Sequence, residues 1–291
     1  MANTSKLHNS QLIDRELDRD LLKLYTVDIR DKKTILDIFQ NEKADTCIHL
    51  AAKVSVADSI NNADQTMDIN VKGTQNVLEA CSNSKVNNFI FASSAAVYGE
   101  VTELPISENA SLRPISPYGK SKMLAEELVF HYDKLMKIQN TISLRFFNVY
   151  GRGNINQSDV ISKFAARLSK GLSPIIYGDG NHTRDFVSVD DVVDGILLSS
   201  KALENKDNGQ LNFPPAFNIG SGTGTSIKEI AAKMIAISGH ELEPIYEKGN
   251  INSGVILHSY ADMTKAKRVL RFFARKDLEE GLKEVFDQML E

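Results

Sequence analysis

Short apolar runs along the chain alternate with longer stretches of helical period. Residues 24–27 (Leu-Tyr-Thr-Val), 46–50, 88–92 and 141–145 are rich in β-branched and aromatic side chains and end in polar or small residues, which predicts strands. Between them, residues 32–39, 63–81 and 118–136 carry apolar positions three and four apart, which predicts helices. In the last of these, Leu124, Leu128, Tyr132 and Leu135 mark the expected buried face. A short amphipathic helix is expected from the spacing of Leu12, Ile13, Leu17, Leu21 and Leu22.

Strands that alternate with helices imply parallel pairing through right-handed crossovers, hence an α/β, doubly wound sheet. Ligands of such sheets collect beyond the C-terminal ends of the strands. Asp28, Ala51, Ser93, Ser94 and the pair Phe147-Asn148 all fall at such ends. After Gly151 the elements shorten: helices near 160–168, 192–198, 227–237, 264–270 and 278–290, with extended pieces at 174–177, 186–187, 217–219 and 244–246. These predict a smaller α+β lobe, suited to closing over a substrate.

Composition narrows the picture. With 291 residues, 42% of them hydrophobic, the chain has material for a full core. Its net charge of -4 is spread without long like-charge blocks, so no footprint for nucleic acid or anionic membrane is expected. No apolar run approaches the ~20 residues that span a bilayer, and the first residues are polar, so a cytoplasmic protein is expected. Cys47 and Cys81 sit in apolar patterns and are expected to stay free of a disulfide. His49, His131, His182 and His258 lack metal-ligand spacing, so no metal is expected.

Candidate chemistry concentrates between residues 89 and 122. Ser116-Pro117 is a helix start, with a serine cap and proline at the first helical position. Tyr118 and Lys122, four residues apart, then share a face. A tyrosine with a pKa of about 10 is a weak base at neutral pH, and a neighbouring ammonium favours its phenolate. Taken alone, Tyr-x-x-x-Lys is more often an ordinary surface pair. Ser94, presented from a strand end, shifts the balance toward a centre that moves a proton and a hydride.

These residues carry a resemblance. Residues 27–31 (Val-Asp-Ile-Arg-Asp), 49–52 (His-Leu-Ala-Ala), 70–76 (Asn-Val-Lys-Gly-Thr-Gln-Asn), 93–99, 117–122, 144–151, 184–187 (Arg-Asp-Phe-Val) and 217–220 (Phe-Asn-Ile-Gly) resemble the extended short-chain dehydrogenase/reductase family, specifically its nucleotide-sugar epimerases and dehydratases. The resemblance runs from about Leu24 to the C-terminus. It implies an NAD-binding, Rossmann-like domain over 24–150, a mainly substrate-binding lobe over 151–291 interleaved with it, and an ill-defined segment over 1–23. It makes Tyr118 the catalytic base, Lys122 its partner and a ribose ligand, and Ser94 the hydroxyl that orients substrate. Asp28 and Ile29 would meet the adenine, and Ala51, Ala52 and Lys53 would line the dinucleotide. Asn148 and Arg184 would hold a nucleotide sugar, and a homodimer formed through two helices is implied.

Some readings stay open at this level. Asn70 is as well explained as a buried structural amide as by cofactor contact. Arg184 beside Asp185 reads either as a surface ion pair or as a phosphate or ribose contact. Asn218 would suit a turn, and Gly220, Gly222 and Gly224 follow a strand without the usual dinucleotide fingerprint.

Within the family, dehydratases place Asp-Glu after the strand-end hydroxyl, an acid and a base that expel water. Here Ala95 and Ala96 stand there and do neither. Epimerisation at C4 of a UDP-glucose or UDP-galactose type substrate, through a 4-keto sugar, is therefore the expected reaction. Ser259 occupies a position where a small residue leaves room for an N-acetyl group. Asn252 stands where many members carry an arginine toward the diphosphate.

The front of the chain departs from the family, whose members open with a strand and a glycine-rich turn that seats the cofactor pyrophosphate on a helix N-terminus. Residues 1–23 contain no glycine, so an N-terminally incomplete sheet is expected. From the family strand order, the strands at Leu24 and Thr46 would then either pair directly or leave a bare edge. The alternatives to an epimerase are a truncated, catalytically silent homologue that binds a nucleotide sugar, and a related sugar-nucleotide decarboxylase or reductase.

Overall fold

The computed structural model describes residues 22–153, 159–204, 216–248 and 256–291. The amphipathic stretch at 12–21 and Asn252 lie outside them. In chain order come α1 (Lys32–Glu42), β1 (Thr46–His49), α2 (Val56–Asn61) and α3 (Ala63–Met67). A wide π turn (Asp68–Lys72) joins α3 to α4 (Gly73–Asn83), followed by β2 (Asn88–Ser94), α5 (Pro117–Lys134), β3 (Asn140–Phe146) and β4 (Asn148–Tyr150). The C-terminal half contains α6 (Val160–Leu168), β5 (Ile175–Tyr177), β6 (Thr183–Arg184), β7 (Phe186–Ser188), α7 (Val189–Glu204), β8 (Ala216–Ile219) and β9 (Thr225–Ser226). It closes with α8 (Ile227–Ser238), β10 (Ile245–Glu247), β11 (His258–Ser259), α9 (Thr264–Val269) and α10 (Leu278–Gln288).

The main sheet is parallel, in the order β1-β2-β3-β8. Its side chains alternate as the pleat requires. Phe89 and Phe91 face α1, α4 and α5, where they meet Ile35, Leu78, Cys81, Ala125 and Val129. Ile90, Ile142, Leu144, Phe217 and Ile219 face the other way, onto Val192 and Ile196 of α7 and Phe272. This is the doubly wound arrangement, with helices on both faces. A separate core gathers Ile161 and Phe164 of α6, Ile230 and Met234 of α8, and Leu282 and Phe286 of α10. Truncating a fully buried side chain such as Met234 to alanine would cost about 2–5 kcal/mol.

Three expectations are corrected. Residues 24–27 join no ladder among the described residues, and Leu24 is 66% exposed. The run has strand composition but no neighbour to pair with; the segment is instead tied to α1, where Glu42 accepts from Lys23 at 2.7 Å and from the Tyr25 hydroxyl at 2.5 Å. Of the two expected outcomes for β1, the bare edge holds: it pairs with β2 alone among the described residues.

The buried face of α5 is also not the leucine stripe. Tyr132 is buried but Leu135 is exposed, and the inward face runs through Tyr118, Ser121, Lys122, Ala125, Glu126, Val129 and Asp133. That face is polar because the strand beneath it is. Thr141 donates to Asp133 at 3.1 Å, and Arg145 meets Glu126. Finally, Phe217-Asn218-Ile219, expected in the smaller lobe, pairs with β3 in the main sheet. Among the described residues no helix is long and apolar enough to cross a membrane.

Candidate active site

The C-terminal ends of β1, β2 and β3 lie on one edge of the sheet, because all three run parallel in register. Ser94 is the last residue of β2. Its hydroxyl oxygen accepts from Ala96 N at 3.2 Å, capping the turn Ala95–Val97, and the hydroxyl stands near enough to the Tyr118 phenol to lower its pKa. Tyr118 stands in the first turn of α5, which starts as its sequence demands: Ser116 accepts from Gly119 N at 3.0 Å and Pro117 occupies the first turn. The Tyr118 backbone N–H, an orphan at a helix start, donates to Ser59 Oγ at 3.1 Å. Lys122, one turn on, is buried, donates to the Ala92 carbonyl at 2.8 Å and lies 5.0 Å from the centre of the Phe91 ring.

The electrostatics differ from the expectation of a phenolate stabilised by Lys122. Burial pushes the Tyr118 phenol above its ordinary value, and the nearby Ser94 hydroxyl is the opposing influence. Lys122 is itself pushed down to about 8 by burial, with its ammonium turned to the Ala92 carbonyl. Burial thus favours the protonated phenol of Tyr118 and weakens the Lys122 ammonium.

Asn70 makes structural hydrogen bonds. Its Oδ1 accepts from Lys53 N at 2.7 Å, and its Nδ2 donates to the Lys53 carbonyl at 3.0 Å and to Ser121 Oγ at 2.8 Å. It thereby clamps the loop after β1 to the helix that carries Tyr118. Ala51 and Ala52 lie on that same loop, with Ala51 exposed. Lys53 pairs with Asp58 at 2.7 Å.

Asp28 is held by Arg30, whose backbone N–H and guanidinium both donate to it and keep its carboxyl down at about 2. Ile29 packs where a Cβ on Gly73 would intrude, at 2.6 Å from its Cδ1. Asn76 fixes the loop by donating to the Ile29 and Arg30 carbonyls at 3.1 Å.

Arg184 and Ser259 form a second group, register partners across β6 and β11. The ion-pair reading of Arg184 fails. Its guanidinium donates to the Thr183 and Leu257 carbonyls at 2.8 and 3.3 Å, and no carboxylate partner is seen among the described residues. Asp185 is fully buried and accepts from Ser221 N, Ser221 Oγ, Gly222 N and Ala261 N at 2.7–3.0 Å. The glycine run after β8 thus cradles the chain's own carboxylate. A Cβ on Gly220 would stand 2.6 Å from it. Asn148 is exposed, with its backbone N–H on the Asp185 carbonyl at 2.9 Å.

Sequence reasoning missed two buried polar clusters. One joins Ser93, Glu126, Arg145, Tyr98 and Asn218. Its signal was an arginine inside the apolar run 141–145, which needs a buried partner. Asn218 donates from Nδ2 to the Ile106 carbonyl at 2.8 Å and so ties strand to loop. In the other, Thr74 spends its proton on the Asn70 carbonyl at 2.6 Å, so His49 Nε2 must donate to Thr74 Oγ1 at 2.9 Å. No cluster of metal-ligating side chains occurs among the described residues.

The donor set at the strand ends suits NAD. Beyond the Ala92 bond seen among the described residues, the Lys122 ammonium has two further donor protons, a number that fits a pair of ribose hydroxyls. Asp28, held ionised, is an acceptor suited to an adenine amine.

The model of the NAD dependent epimerase/dehydratase family matches residues 2–220. A protein of Methanocaldococcus jannaschii, provisionally named a UDP-glucose 4-epimerase, is 40% identical over 266 residues, covering 90% of this chain and 82% of the relative. The crystal structure of UDP-glucose 4-epimerase from Thermotoga maritima with UDP-glucose superposes with a TM-score of 0.86 at 31% identity, over 99% of this chain and 88% of that one. UDP-N-acetylglucosamine 4-epimerase from Methanobrevibacter ruminantium M1, in complex with UDP-N-acetylmuramic acid, gives 0.82 at 28%, over 92% and 82%. The chain belongs to the NAD-dependent epimerase/dehydratase family.

Proposed function

We propose that the chain inverts C4 of a nucleotide sugar, of UDP-glucose and UDP-galactose type and open to N-acetylated forms, with Ser94, Tyr118 and Lys122 as its catalytic residues. The observation that carries this reading is the Ser94 hydroxyl acting on the Tyr118 phenol at the strand ends, with Ala95 and Ala96 where a dehydrating acid and base would stand.

When bound, NAD supplies the acceptor for the C4 hydride, returns it to the opposite face of the 4-keto sugar, and adds a positive charge that favours the phenolate of Tyr118. Tyr118 takes the proton from the C4 hydroxyl oxygen and gives it back, so it needs no external acid. Ser94, whose hydroxyl lies close enough to influence the phenol, holds that C4 hydroxyl between itself and Tyr118. Lys122 would hold the cofactor ribose, with Asp28 and Ile29 at the adenine and Ala51, Ala52 and Lys53 along the dinucleotide. Asn70 acts by fixing Lys53.

In the C-terminal lobe, Arg184 is a cation whose seen partners are neutral carbonyls, which suits it to a diphosphate. Asn148 and Ser259 complete that subsite, with the small side chain of Ser259 leaving room for an N-acetyl group. The free thiols of Cys47 and Cys81 suit a reducing compartment, so the proposal places the protein in the cytoplasm, as a homodimer.

The test is conversion of UDP-galactose to UDP-glucose by the purified chain with NAD added, together with assay of NAD released on denaturation. The parent should convert, and Tyr118→Phe should lose at least 100-fold, the upper range of general acid–base contributions being about 10⁴. Activity that survives Tyr118→Phe shows that the base is another group. No conversion and no bound NAD would leave a nucleotide-sugar binder in place of an enzyme.

A further inference from the structure

One sealed polar cluster lies directly behind the strand ends, and the chemistry above does not use it. Glu126 stands eight residues after Tyr118, about two turns along α5, on the face that also carries Lys122. Its carboxylate accepts from Ser93 Oγ at 2.7 Å and from Arg145 Nε and Nη2 at 3.2 and 2.5 Å. Nη1 of Arg145 donates to the Tyr98 hydroxyl at 3.0 Å and to the Glu108 carbonyl at 3.1 Å. Tyr98 in turn spends its single proton on Asn218 Oδ1, at 2.6 Å. The guanidinium also lies 5.0 Å from the centre of the Tyr98 ring. Ser93, Tyr98, Glu126, Arg145 and Asn218 are all buried.

A buried ion pair is a poor choice if holding layers together were its only task. Taking two charges out of water costs about as much as their attraction returns, and an apolar pair of similar volume often stabilises equally or better. What the ion pair adds is direction, because the planar guanidinium fork accepts partners only along fixed lines. Those lines end beside the reacting groups. Ser93 precedes Ser94 on β2. Glu126 lies one turn past Lys122, and Tyr98 closes the turn that Ser94 caps.

We propose that the Ser93–Glu126–Arg145–Tyr98 cluster is a positioning device that sets the Ser94 hydroxyl against the Tyr118 phenol. The four are positioning residues, acting through Ser94 and Tyr118. The inference rests on the reading of Tyr118 as the base.

The experiment replaces the pair by apolar side chains, Glu126→Leu with Arg145→Met. The double variant is expected to fold with a Tm at or above that of the parent and to keep KM for UDP-galactose within twofold. Its kcat should fall 10- to 100-fold, the scale on which misplacement of about 1 Å acts. A second readout is independent of turnover. Ionisation of Tyr118, followed as the tyrosinate absorbance difference between each protein and its Tyr118→Phe counterpart, should move to higher pH, because the nearby Ser94 hydroxyl is what opposes burial.

A folded double variant with parental kcat and parental phenol titration overturns the proposal. If the double variant does not fold, Ser93→Ala and Tyr98→Phe, each losing one hydroxyl, carry the test; parental kcat in both overturns it. Survival of activity in Tyr118→Phe defeats the underlying reading instead. An inactive Tyr118→Phe beside an unimpaired double variant defeats the positioning proposal alone.

Discussion

Gly119 is where helix α5 comes closest to the turn that Ser94 caps, and Gly119→Ala measures what that closeness is for. A Cβ there would stand 2.5 Å from the Ala96 carbonyl oxygen and 3.0 Å from Pro114 Cβ. Carbon and carbonyl oxygen settle at about 3.3–3.6 Å, so one of the two segments must retreat by roughly 0.8 Å. In a free helical position the same substitution would stabilise by about 1 kcal/mol. Forcing an extra methyl into a packed contact costs about 1–3 kcal/mol, so the net expectation is a loss of up to about 2 kcal/mol. The retreat falls on the reacting groups, since Ala96 N is a donor to Ser94 and Tyr118 immediately precedes Gly119. A displacement near 1 Å is expected to lower kcat about 10- to 100-fold. Urea unfolding followed by circular dichroism gives the first quantity, and UDP-galactose conversion gives the second. A variant that gains about 1 kcal/mol and keeps kcat within twofold would show that the contact has no role in holding Ser94 to Tyr118.

Two further predictions follow from buried titratable groups. His49 is held neutral by burial, its pKa pushed down to about 3 from an ordinary 6.5. Its contribution is whole above pH 6.5 and is lost as pH falls toward 3, a span worth on the order of 5 kcal/mol. Urea unfolding across that window should therefore show a loss that His49→Gln flattens, and an equally steep loss in the variant would remove His49 from the account. Lys122 has its pKa lowered to about 8, so its charge opposes folding below pH 8 and ceases to do so above about 10.5. Lys122→Met should raise stability near pH 7 by up to about 3 kcal/mol while abolishing conversion; a destabilised variant would contradict the assigned cost.

Much of the fold was legible because its signals are local. The strands at 46–50, 88–92 and 141–145 and the helices between them declare themselves through period and caps, and a serine followed by proline placed the start of α5 correctly. What escaped was set by partners far away in the chain. Residues 24–27 have the composition of a strand, yet a strand exists only with a ladder partner. The inward face of α5 could not be read from hydrophobicity, because Glu126 and Asp133 are buried by virtue of Arg145 and Thr141 on β3. The site shows the same division. Ser94, Tyr118 and Lys122 were singled out as candidates from helical spacing and a strand end, whereas the direction of the Lys122 ammonium depends on the Ala92 carbonyl. The glycines after β8 carried no dinucleotide fingerprint, and only the fold shows what they do, which is to cradle Asp185.

The π turn at Asp68–Lys72 makes the length of one helix a functional quantity. An extra residue absorbed within a helix rotates everything beyond it by about 100° relative to everything before. The two halves can thus be phased separately, with Asn70 reaching Lys53 and Ser121 on one side while Thr74 and Asn76 reach His49 and the 29–30 carbonyls on another. Removing a single residue here would leave a helix of ordinary pitch and undiminished circular dichroism, yet mis-geared. The segment should therefore tolerate changes of composition on its outer side far better than any change of length.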